Sequence, residues 1–205
     1  MNKFQTNRPI PELTLSTNFR QKHVVLDSRG PFFISRLFVR TLPRLQGRPP
    51  LGLMVMGSLT FPCAIGRNGI GPKGKEGDGR TPIGQFKLVG WRRRKEAWTV
   101  SRPDARAIAR SDGWCDDPAS NEYNRAVVLP SHARAENLWR DDGLYDLIGI
   151  LDFNFSPRIK GRGSAIFLHL AHADFGATAG CLALQRSTMR KAQFKWSAKL
   201  LINIV

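Results

Sequence analysis

Short apolar runs separated by turn residues fill the chain from residue 32 to its end, and this pattern predicts a series of β-strands. Side chains alternate between the two faces of a strand, so Arg36 and Arg40 are expected on one face of the first strand. Gly57 and Ser58 predict a tight turn between the second and third strands. The predicted strands cover residues 32–40, 52–56, 59–66, 84–90, 125–129, 146–153, 165–171, 181–184 and 200–205.

Helical patterns are rare in this sequence. The clearest one predicts a helix over residues 187–200, in which Ser187 can cap the first turn and a partial apolar stripe follows. A second, shorter helix is predicted over residues 103–110. The fold class that follows is mainly β (a β-rich α/β arrangement), with one or two helices packed on a sheet.

The two parts of the chain differ in polarity and in residue pattern. Residues 1–30 are polar, contain two prolines and show no sustained period, so a partly irregular N-terminal arm is expected. Residues 31–205 carry the strand pattern and are predicted to form one domain. The hydrophobic fraction of 41% is sufficient for a core that needs no disulfide bonds.

Charge is the unusual feature of the composition. Lysine and arginine total 32 against 16 acidic residues, and the net charge of +16 predicts attraction to an anionic partner. The basic runs lack interleaved aromatic side chains, so nucleic acid is not expected as that partner. A basic surface that serves only solubility is the alternative interpretation.

The cysteine content and the absence of long apolar runs bear on the state of the thiols and on the cellular compartment of the protein. Cys63, Cys115 and Cys181 are odd in number, so at least one free thiol is expected, and no CxxC pair supports a structural zinc site. Cys63 is predicted to be a buried strand residue, whereas the role of Cys115 stays open. No stretch is long enough to span a membrane, and the first 30 residues lack the apolar core of a signal peptide, which favours the cytoplasm.

The residues around Cys181 suggest nucleophilic chemistry. A catalytic thiol needs a nearby imidazole that removes its proton and hydrogen-bond donors for the oxyanion. Adjacent strands would bring His169 beside the sulfur, and the small residues Thr178, Ala179 and Gly180 allow backbone N–H groups to face a substrate oxygen. A core histidine and a buried structural cysteine explain the same pattern equally well.

Two sequence blocks, in this order, resemble the signatures of the YkuD-domain L,D-transpeptidases. The first is EGDGRTPIGQFKL at residues 76–88, and the second is TAGC at residues 178–181, preceded by a strand that contains a histidine. The resemblance covers residues 32–205. It implies a YkuD-like β-sandwich or barrel with Cys181 as nucleophile and His169 as base, and it implies no metal and no organic cofactor.

Two further segments, residues 113–124 and 138–150, resemble the surroundings of the active site in a subgroup of the family. Both mix aromatic side chains with carboxylates and amides, which can hold a peptide backbone or an amine. Two polar loops that close a sheet are the alternative interpretation. The substrate-binding candidates that the resemblance implies are Trp114, Asp116, Tyr123, Asn124, Tyr145 and Asp146.

The sequence also departs from the usual family pattern. Leu170 follows the candidate base where many members have glycine, and Ala179 and Ala183 stand where many members have a histidine and an arginine. The loop between the histidine and the cysteine is shorter than usual. These changes leave the nucleophile and the base in place, and they indicate a divergent branch with altered substrate contacts.

His172 competes with His169 for the role of base. In an extended segment it faces the opposite side, so a surface or supporting position is expected for it. A metal site made of His169, His172 and Cys181 is disfavoured, because the spacing of the two histidines suits a helix and this stretch is predicted to be a strand.

The resemblance implies acyl transfer through a thioester on peptidoglycan stem peptides. Attack by the amine of another stem would form a 3→3 cross-link, attack by a D-amino acid would exchange the terminal residue, and attack by water would make the protein an L,D-carboxypeptidase or amidase acting on muropeptides. A basic polymer-binding module with an inert cysteine is the alternative from another class.

The resemblance also bears on charge and location. Stem peptides carry carboxylates, so a basic cleft would give the net charge of +16 a reason. Members of the family usually act in the periplasm or the cell wall, whereas the lack of a visible signal peptide in this sequence favours the cytoplasm as the alternative.

Overall fold

The computed structural model describes residues 33–99 and 104–205. The predicted N-terminal arm, residues 1–30, lies outside the described residues. The elements of the described part are β1 (Ile34–Thr41), β2 (Leu51–Met56), β3 (Leu59–Ala64), β4 (Ile70–Gly71), β5 (Thr81–Pro82), β6 (Gly84–Arg93), β7 (Ala105–Ala107), β8 (Asp112–Cys115), β9 (Ala126–Val128), β10 (Ala135–Asn137), β11 (Leu147–Leu151), β12 (Phe167–Leu170), β13 (Leu182–Leu184), α1 (Arg186–Ala192), a 3₁₀ turn (Gln193–Lys195) and β14 (Trp196–Ile204).

Eight of the described strands close into a barrel-like sheet. They follow one another in the order β11, β12, β13, β3, β2, β1, β14 and β6, and β6 pairs back with β11. β7 extends the sheet beside β6, while β10, β8 and β9 form a separate three-stranded sheet and β4 pairs with β5. This architecture confirms the predicted mainly β fold class.

Strands β11, β12 and β13 are buried along their whole length, because apolar groups cover both of their faces. Leu168 and Leu182 belong to the main core, whereas Phe167 and Cys181 belong to a second core. β12 and β13 are parallel neighbours, with His169 paired to Ala183. Since side chains alternate along a strand, His169 and Cys181 share the face that carries the second core.

Several local predictions from the sequence are confirmed. β2 and β3 form an antiparallel hairpin in which Met56 pairs with Leu59, so the turn lies at Gly57 and Ser58. Gly57 has a φ of 61°, a left-handed conformation that suits glycine. Cys63 is buried, and Arg36 and Arg40 both lie on the exposed face of β1.

The predicted helix over residues 187–200 is wrong in its cap and in its second half. α1 begins after Gln185, which makes no side-chain cap hydrogen bond, so Ser187 is not the N-cap. The helical part ends at Lys195, and β14 begins at Trp196. The physical reason is a change of period: the buried residues Trp196, Leu200, Ile202 and Ile204 are separated by even steps, which is the spacing of one strand face.

The predicted short helix over residues 103–110 is also wrong where the structure describes it. Ala105–Ala107 form β7, which pairs in parallel with β6, and residue 103 lies outside the described residues. The three-residue pairing with an existing strand outweighs a weak helical propensity. Among the described residues, no helix is long and apolar enough to cross a membrane.

Candidate active site

A cavity of about 510 Å³ lies on the outer face of β12 and β13. Cys181 and His169 both line this cavity. The loop before the cysteine lines it as well, so the structure brings together all five residues that the sequence assigns to the dyad and the turn. The loop residues in question are Thr178, Ala179 and Gly180.

The thiol of Cys181 is held between two backbone groups. Its sulfur accepts the N–H of Phe167 at 3.3 Å, and its S–H donates to the carbonyl oxygen of Ala165 at 3.3 Å. Burial, followed by the charge of the Glu136 carboxylate, raises the pKa of Cys181 to about 12. The resting thiol is therefore neutral near pH 7, and it requires a base at the moment of reaction.

The imidazole of His169 is oriented by its own strand. Nδ1 lies 2.8 Å from the carbonyl oxygen of Leu170, so Nδ1 carries the proton and Nε2 is the basic nitrogen. The ring of Tyr145 packs edge-on against the imidazole with 5.1 Å between the ring centroids. Burial lowers the pKa of His169 to about 4, which keeps the ring neutral and able to accept a proton near pH 7.

Thr178 orders the loop that precedes the cysteine. Its hydroxyl donates to the carbonyl of Cys181 at 2.7 Å and accepts the N–H of Gly180 at 3.1 Å. Gly180 has a φ of +147°, and a Cβ there would lie 2.7 Å from the carbonyl oxygen of Arg80, so only glycine fits. The Gly180 N–H is thus engaged within the loop, contrary to the expectation that it faces a substrate oxygen.

Segment 76–88 is linked to the cysteine loop by hydrogen bonds through residues 65–67. This link explains why the blocks at 76–88 and 178–181 occur together. The Thr81 hydroxyl accepts the N–H of Gly66 at 2.8 Å. On either side of that glycine, the Thr178 N–H donates to the carbonyl of Ile65 and the Arg67 N–H donates to the carbonyl of Thr178, both at 2.9 Å. The Thr-Pro block therefore fixes the backbone against which the cysteine loop rests.

Comparison with known proteins identifies the family of this chain. The family model for the L,D-transpeptidase catalytic domain (YkuD) matches residues 55–197, which is more than half of the chain. The chain belongs to this family. The candidate dyad, the cysteine loop and the Thr-Pro block all lie within the matched residues.

Among solved structures, this L,D-transpeptidase domain is similar to the crystal structure of the helical cell shape determining protein from Campylobacter jejuni, with 14% sequence identity and a TM-score of 0.35. The similarity covers 84% of this chain and 49% of that chain, so this chain spans about half of that protein's length. No curated protein matches the sequence.

The six substrate-binding candidates fall into two groups in the L,D-transpeptidase domain. Asp116 and Tyr145 line the cavity, so both can meet a bound ligand. The other four are buried and lie outside the cavity lining, where they contact protein groups instead. These four are Trp114, Tyr123, Asn124 and Asp146.

Asn124 shows what the buried candidates do instead. Its side-chain carbonyl oxygen accepts the indole N–H of Trp114 and the backbone N–H of Ala165, each at 3.0 Å. Its amide nitrogen donates to the backbone carbonyls of Phe153 at 3.1 Å and Asn154 at 3.0 Å. Because the carbonyl of Ala165 accepts the Cys181 thiol, Asn124 holds the backbone that positions the nucleophile.

The side chains of Tyr123 and Asp146 also interact with other groups of the protein. The Tyr123 hydroxyl donates to Glu76 at 2.5 Å and accepts the N–H of Gly163 at 2.9 Å. Asp146 forms an ion pair with Arg186 and lies 3.6 Å from Arg94. Direct contact with a ligand is therefore expected from Asp116 and Tyr145, and structural support is expected from the remaining candidates.

Replacing Asn124 by alanine is expected to lower the free energy of unfolding by about 2–4 kcal/mol, because the change leaves several buried polar groups without partners. It also places alanine at a φ of 55°, a left-handed conformation that favours asparagine and glycine. Urea denaturation measures the change. The exposed Asn121 provides the control, since its replacement by alanine should shift stability by less than about 0.5 kcal/mol. A loss below about 1 kcal/mol for Asn124→Ala contradicts the support role.

Charged side chains complete the cavity, and the sequence analysis missed most of them. Three carboxylates line it beside two cations and the exposed His172, which agrees with the surface position expected for that histidine. The expectation of a basic cleft is wrong, because acidic groups outnumber the cations in the lining. The charged groups are Lys73, Glu76, Asp116, Glu136 and Arg140.

No three or more His, Cys, Asp or Glu side chains within residues 33–99 and 104–205 are grouped so that they could hold a metal ion. Cys115 is buried in β8 and does not line the cavity, so it is a thiol apart from the candidate nucleophile. Cys63 is likewise buried, and burial raises its pKa to about 12.

Glu136 lines the same cavity as the candidate nucleophile Cys181. Its carboxylate accepts the hydroxyl of Tyr145 at 2.6 Å, and burial raises the pKa of Glu136 itself. Its negative charge raises the pKa of Cys181 and so disfavours the thiolate. The sequence signal for this residue was its position two residues before the aromatic-rich segment 138–150.

Changing Glu136 to glutamine is expected to accelerate alkylation of Cys181 by iodoacetamide at pH 9 by about threefold to tenfold, because loss of the negative charge lowers the pKa of the thiol. Glutamine still accepts the Tyr145 hydroxyl, so the charge alone is altered. Mass spectrometry of the modified peptide follows the rate, with Glu122→Gln as the exposed control. An unchanged or slower rate contradicts the electrostatic effect.

Proposed function

We propose that this domain is a cysteine acyltransferase that acts on peptidoglycan stem peptides as an L,D-transpeptidase. The observation that carries the proposal is the shared cavity of Cys181 and His169, on one face of two parallel neighbouring strands. The carbonyl of Leu170 fixes Nδ1, which leaves Nε2 free to take a proton. Membership of the YkuD family supplies the substrate class.

In the first half of the reaction, the scissile carbonyl of the stem peptide lies over Cys181. Nε2 of His169 removes the thiol proton while the sulfur attacks the carbonyl carbon. The backbone N–H groups of Ala179 and Cys181 stabilise the oxyanion, because those of Thr178 and Gly180 already donate within the protein. The intermediate then collapses: the C–N bond breaks, the imidazolium gives its proton to the departing D-amino acid, and a thioester remains on the cysteine.

In the second half, an amine attacks the thioester and Nε2 of His169 accepts its proton. An amine from another stem forms a 3→3 cross-link, and a free D-amino acid exchanges the terminal residue. The cysteine leaves as the thiolate and regains its proton from the imidazolium, which restores the neutral pair. Water as acceptor would instead give a shortened stem, which is the reaction of an L,D-carboxypeptidase.

The neutral resting pair suits such a transfer. Burial holds the thiol and the imidazole uncharged until a substrate enters, so the thiolate forms only during attack. A buried thiol is also shielded from adventitious oxidation. The cell wall lies outside the cytoplasmic membrane, and that is where the proposed reaction takes place.

The test is the product formed from tetrapeptide muropeptides, analysed by mass spectrometry. A cross-linked dimer with release of the terminal D-residue supports transpeptidation, and a tripeptide monomer indicates hydrolysis by the same dyad. The variant Cys115→Ala should give the wild-type products, because that thiol lies outside the cavity lining. No release of the D-residue by folded protein contradicts the proposed function.

A further inference from the structure

Lys73 reaches the cavity as a buried ammonium. Its side chain is only 3% exposed, and it lines the cavity together with Gly180 and Cys181. Nζ donates to Oδ1 of Asp78 at 2.7 Å and to the carbonyl oxygen of Arg80 at 3.3 Å. A lysine that is almost fully buried beside a nucleophile needs an explanation, because buried charge is costly to desolvate.

The backbone leaves room for this side chain at two glycines. A Cβ at Gly163, where φ is +105°, would lie 2.4 Å from Cε of Lys73. A Cβ at Gly180 would lie 3.4 Å from Nζ. The lysine therefore runs past Gly163 and ends against the loop that carries Cys181, in a passage that side chains at these two positions would narrow or close.

The ammonium is fixed and keeps a donor for a ligand. Asp78 is itself anchored, because it accepts the N–H groups of Gly74 and Arg80 at 3.0 Å. Burial tends to raise the pKa of Asp78, but the hydrogen bonds from Lys73 and the backbone outweigh it and lower the pKa to about 2. Within the described residues two N–H groups of the ammonium are engaged, and an ammonium has three.

The other charges of the cavity leave Lys73 as the place where an anion can bind. Glu76, Asp116 and Glu136 repel a carboxylate. Arg140 is already paired with Asp142 and lies 3.8 Å from Glu136, so two carboxylates balance its charge. Asp78 is the one acidic partner of Lys73 among the described residues, and its second oxygen, Oδ2, accepts the N–H of Gly74.

We propose that the Lys73 ammonium binds the terminal carboxylate of the stem peptide and so selects stems that end one residue beyond the scissile bond. The inference rests on the proposed function, because it takes a D-residue as the leaving group at Cys181. That carboxylate lies one residue beyond the attacked carbonyl, a span of about 3.5 Å. An ammonium beside Gly180, the neighbour of the nucleophile, is within reach of it.

Binding to the Cys181→Ala protein tests the inference without any chemical step. The ligands are a tetrapeptide that ends in a free carboxylate and the same peptide that ends in a carboxamide, each titrated by calorimetry. The protein with Lys73 is expected to bind the acid about tenfold or more tightly than the amide, in line with a charge-assisted hydrogen bond. The added change Lys73→Met should remove this preference.

Two further variants serve as a control and as a substitute for a variant that does not fold. Lys75→Met removes an exposed lysine of the same segment and should leave the preference intact. Because Lys73→Met leaves the Asp78 charge without its partner, the double change Lys73→Met with Asp78→Asn removes both charges if the single variant does not fold.

The outcomes separate the two proposals. Equal binding of acid and amide by the Lys73 protein, or a preference that survives Lys73→Met, overturns the role of the lysine and leaves the proposed function untouched. If neither peptide binds, both the role of Lys73 and the proposed substrate are overturned.

Discussion

Replacing Cys181 by alanine is expected to reduce release of the terminal D-residue by about four to six orders of magnitude, which amounts to complete loss in most assays. In the proposed reaction the sulfur forms the thioester, and alanine has no nucleophilic atom to replace it. No described thiol is positioned to substitute, because Cys63 and Cys115 are buried and do not line the cavity. Release of D-alanine from a tetrapeptide muropeptide, followed by mass spectrometry, measures the effect.

The control for this variant is a matched buried thiol. Cys115→Ala also removes a buried thiol, in this case from β8, and should retain wild-type turnover. Both variants must show the thermal melting of a folded protein. Turnover by Cys181→Ala within tenfold of the wild-type rate contradicts the assignment of the nucleophile. Loss of turnover in both variants points to a packing effect and also contradicts it.

Replacing His169 by alanine is expected to lower turnover by about 10²–10⁴-fold, the contribution of a positioned general base. The cause is the high pKa of about 12 of the Cys181 thiol in the free protein, which leaves almost no thiolate near pH 7 unless a base acts. The His172→Ala variant is the control, because that imidazole is exposed and follows the end of β12. A larger loss from His172→Ala than from His169→Ala contradicts the assignment of the base.

The pH profile gives a second measure of His169. Burial lowers its pKa from 6.5 to about 4, so the free enzyme keeps its base unprotonated down to that pH. The acid limb of kcat/KM is therefore expected near pH 4 rather than near pH 6.5. A limb centred at the ordinary histidine value contradicts a buried, neutral imidazole.

The same shift affects stability, and its sign is fixed by the direction of the pKa change. Between the folded value of about 4 and the unfolded value of 6.5, the unfolded chain binds more protons at this histidine. Its contribution to stability is thus present above pH 6.5 and falls as the pH drops toward 4.

The sequence predicted the barrel strands because their apolar runs are bounded by turn residues. β2, β3, β6, β11, β12 and β13 all lie within or overlap the predicted ranges. The helix prediction failed at residues 196–200, because a tryptophan and neighbouring lysines fit the apolar stripe of a helix as well as a strand. Pairing of β14 with β1 and β6 decides in favour of the strand, and such pairing is not visible in a local pattern.

The proximity of His169 and Cys181 could be predicted because a histidine in one strand and a cysteine at the head of the next must approach each other if the strands are neighbours. The charged lining could not, because Lys73 and Glu136 come from segments far apart in the chain. Aromatic and amide residues such as Trp114 and Asn124 suit a ligand pocket and a buried hydrogen-bond network alike. Which of the two they form depends on the face on which they end, and the sequence does not specify that face.

The measurement that tests the central claim most directly is the mass of the protein after reaction with a tetrapeptide muropeptide in the absence of an acceptor amine. Acyl transfer through Cys181 predicts an acid-stable adduct equal to the donor less its terminal D-residue, located on the peptide that contains Cys181 and absent from the Cys181→Ala protein. Release of the D-residue by the Cys181→Ala protein at the wild-type rate, or an adduct on Cys63 or Cys115 in place of Cys181, would contradict the account.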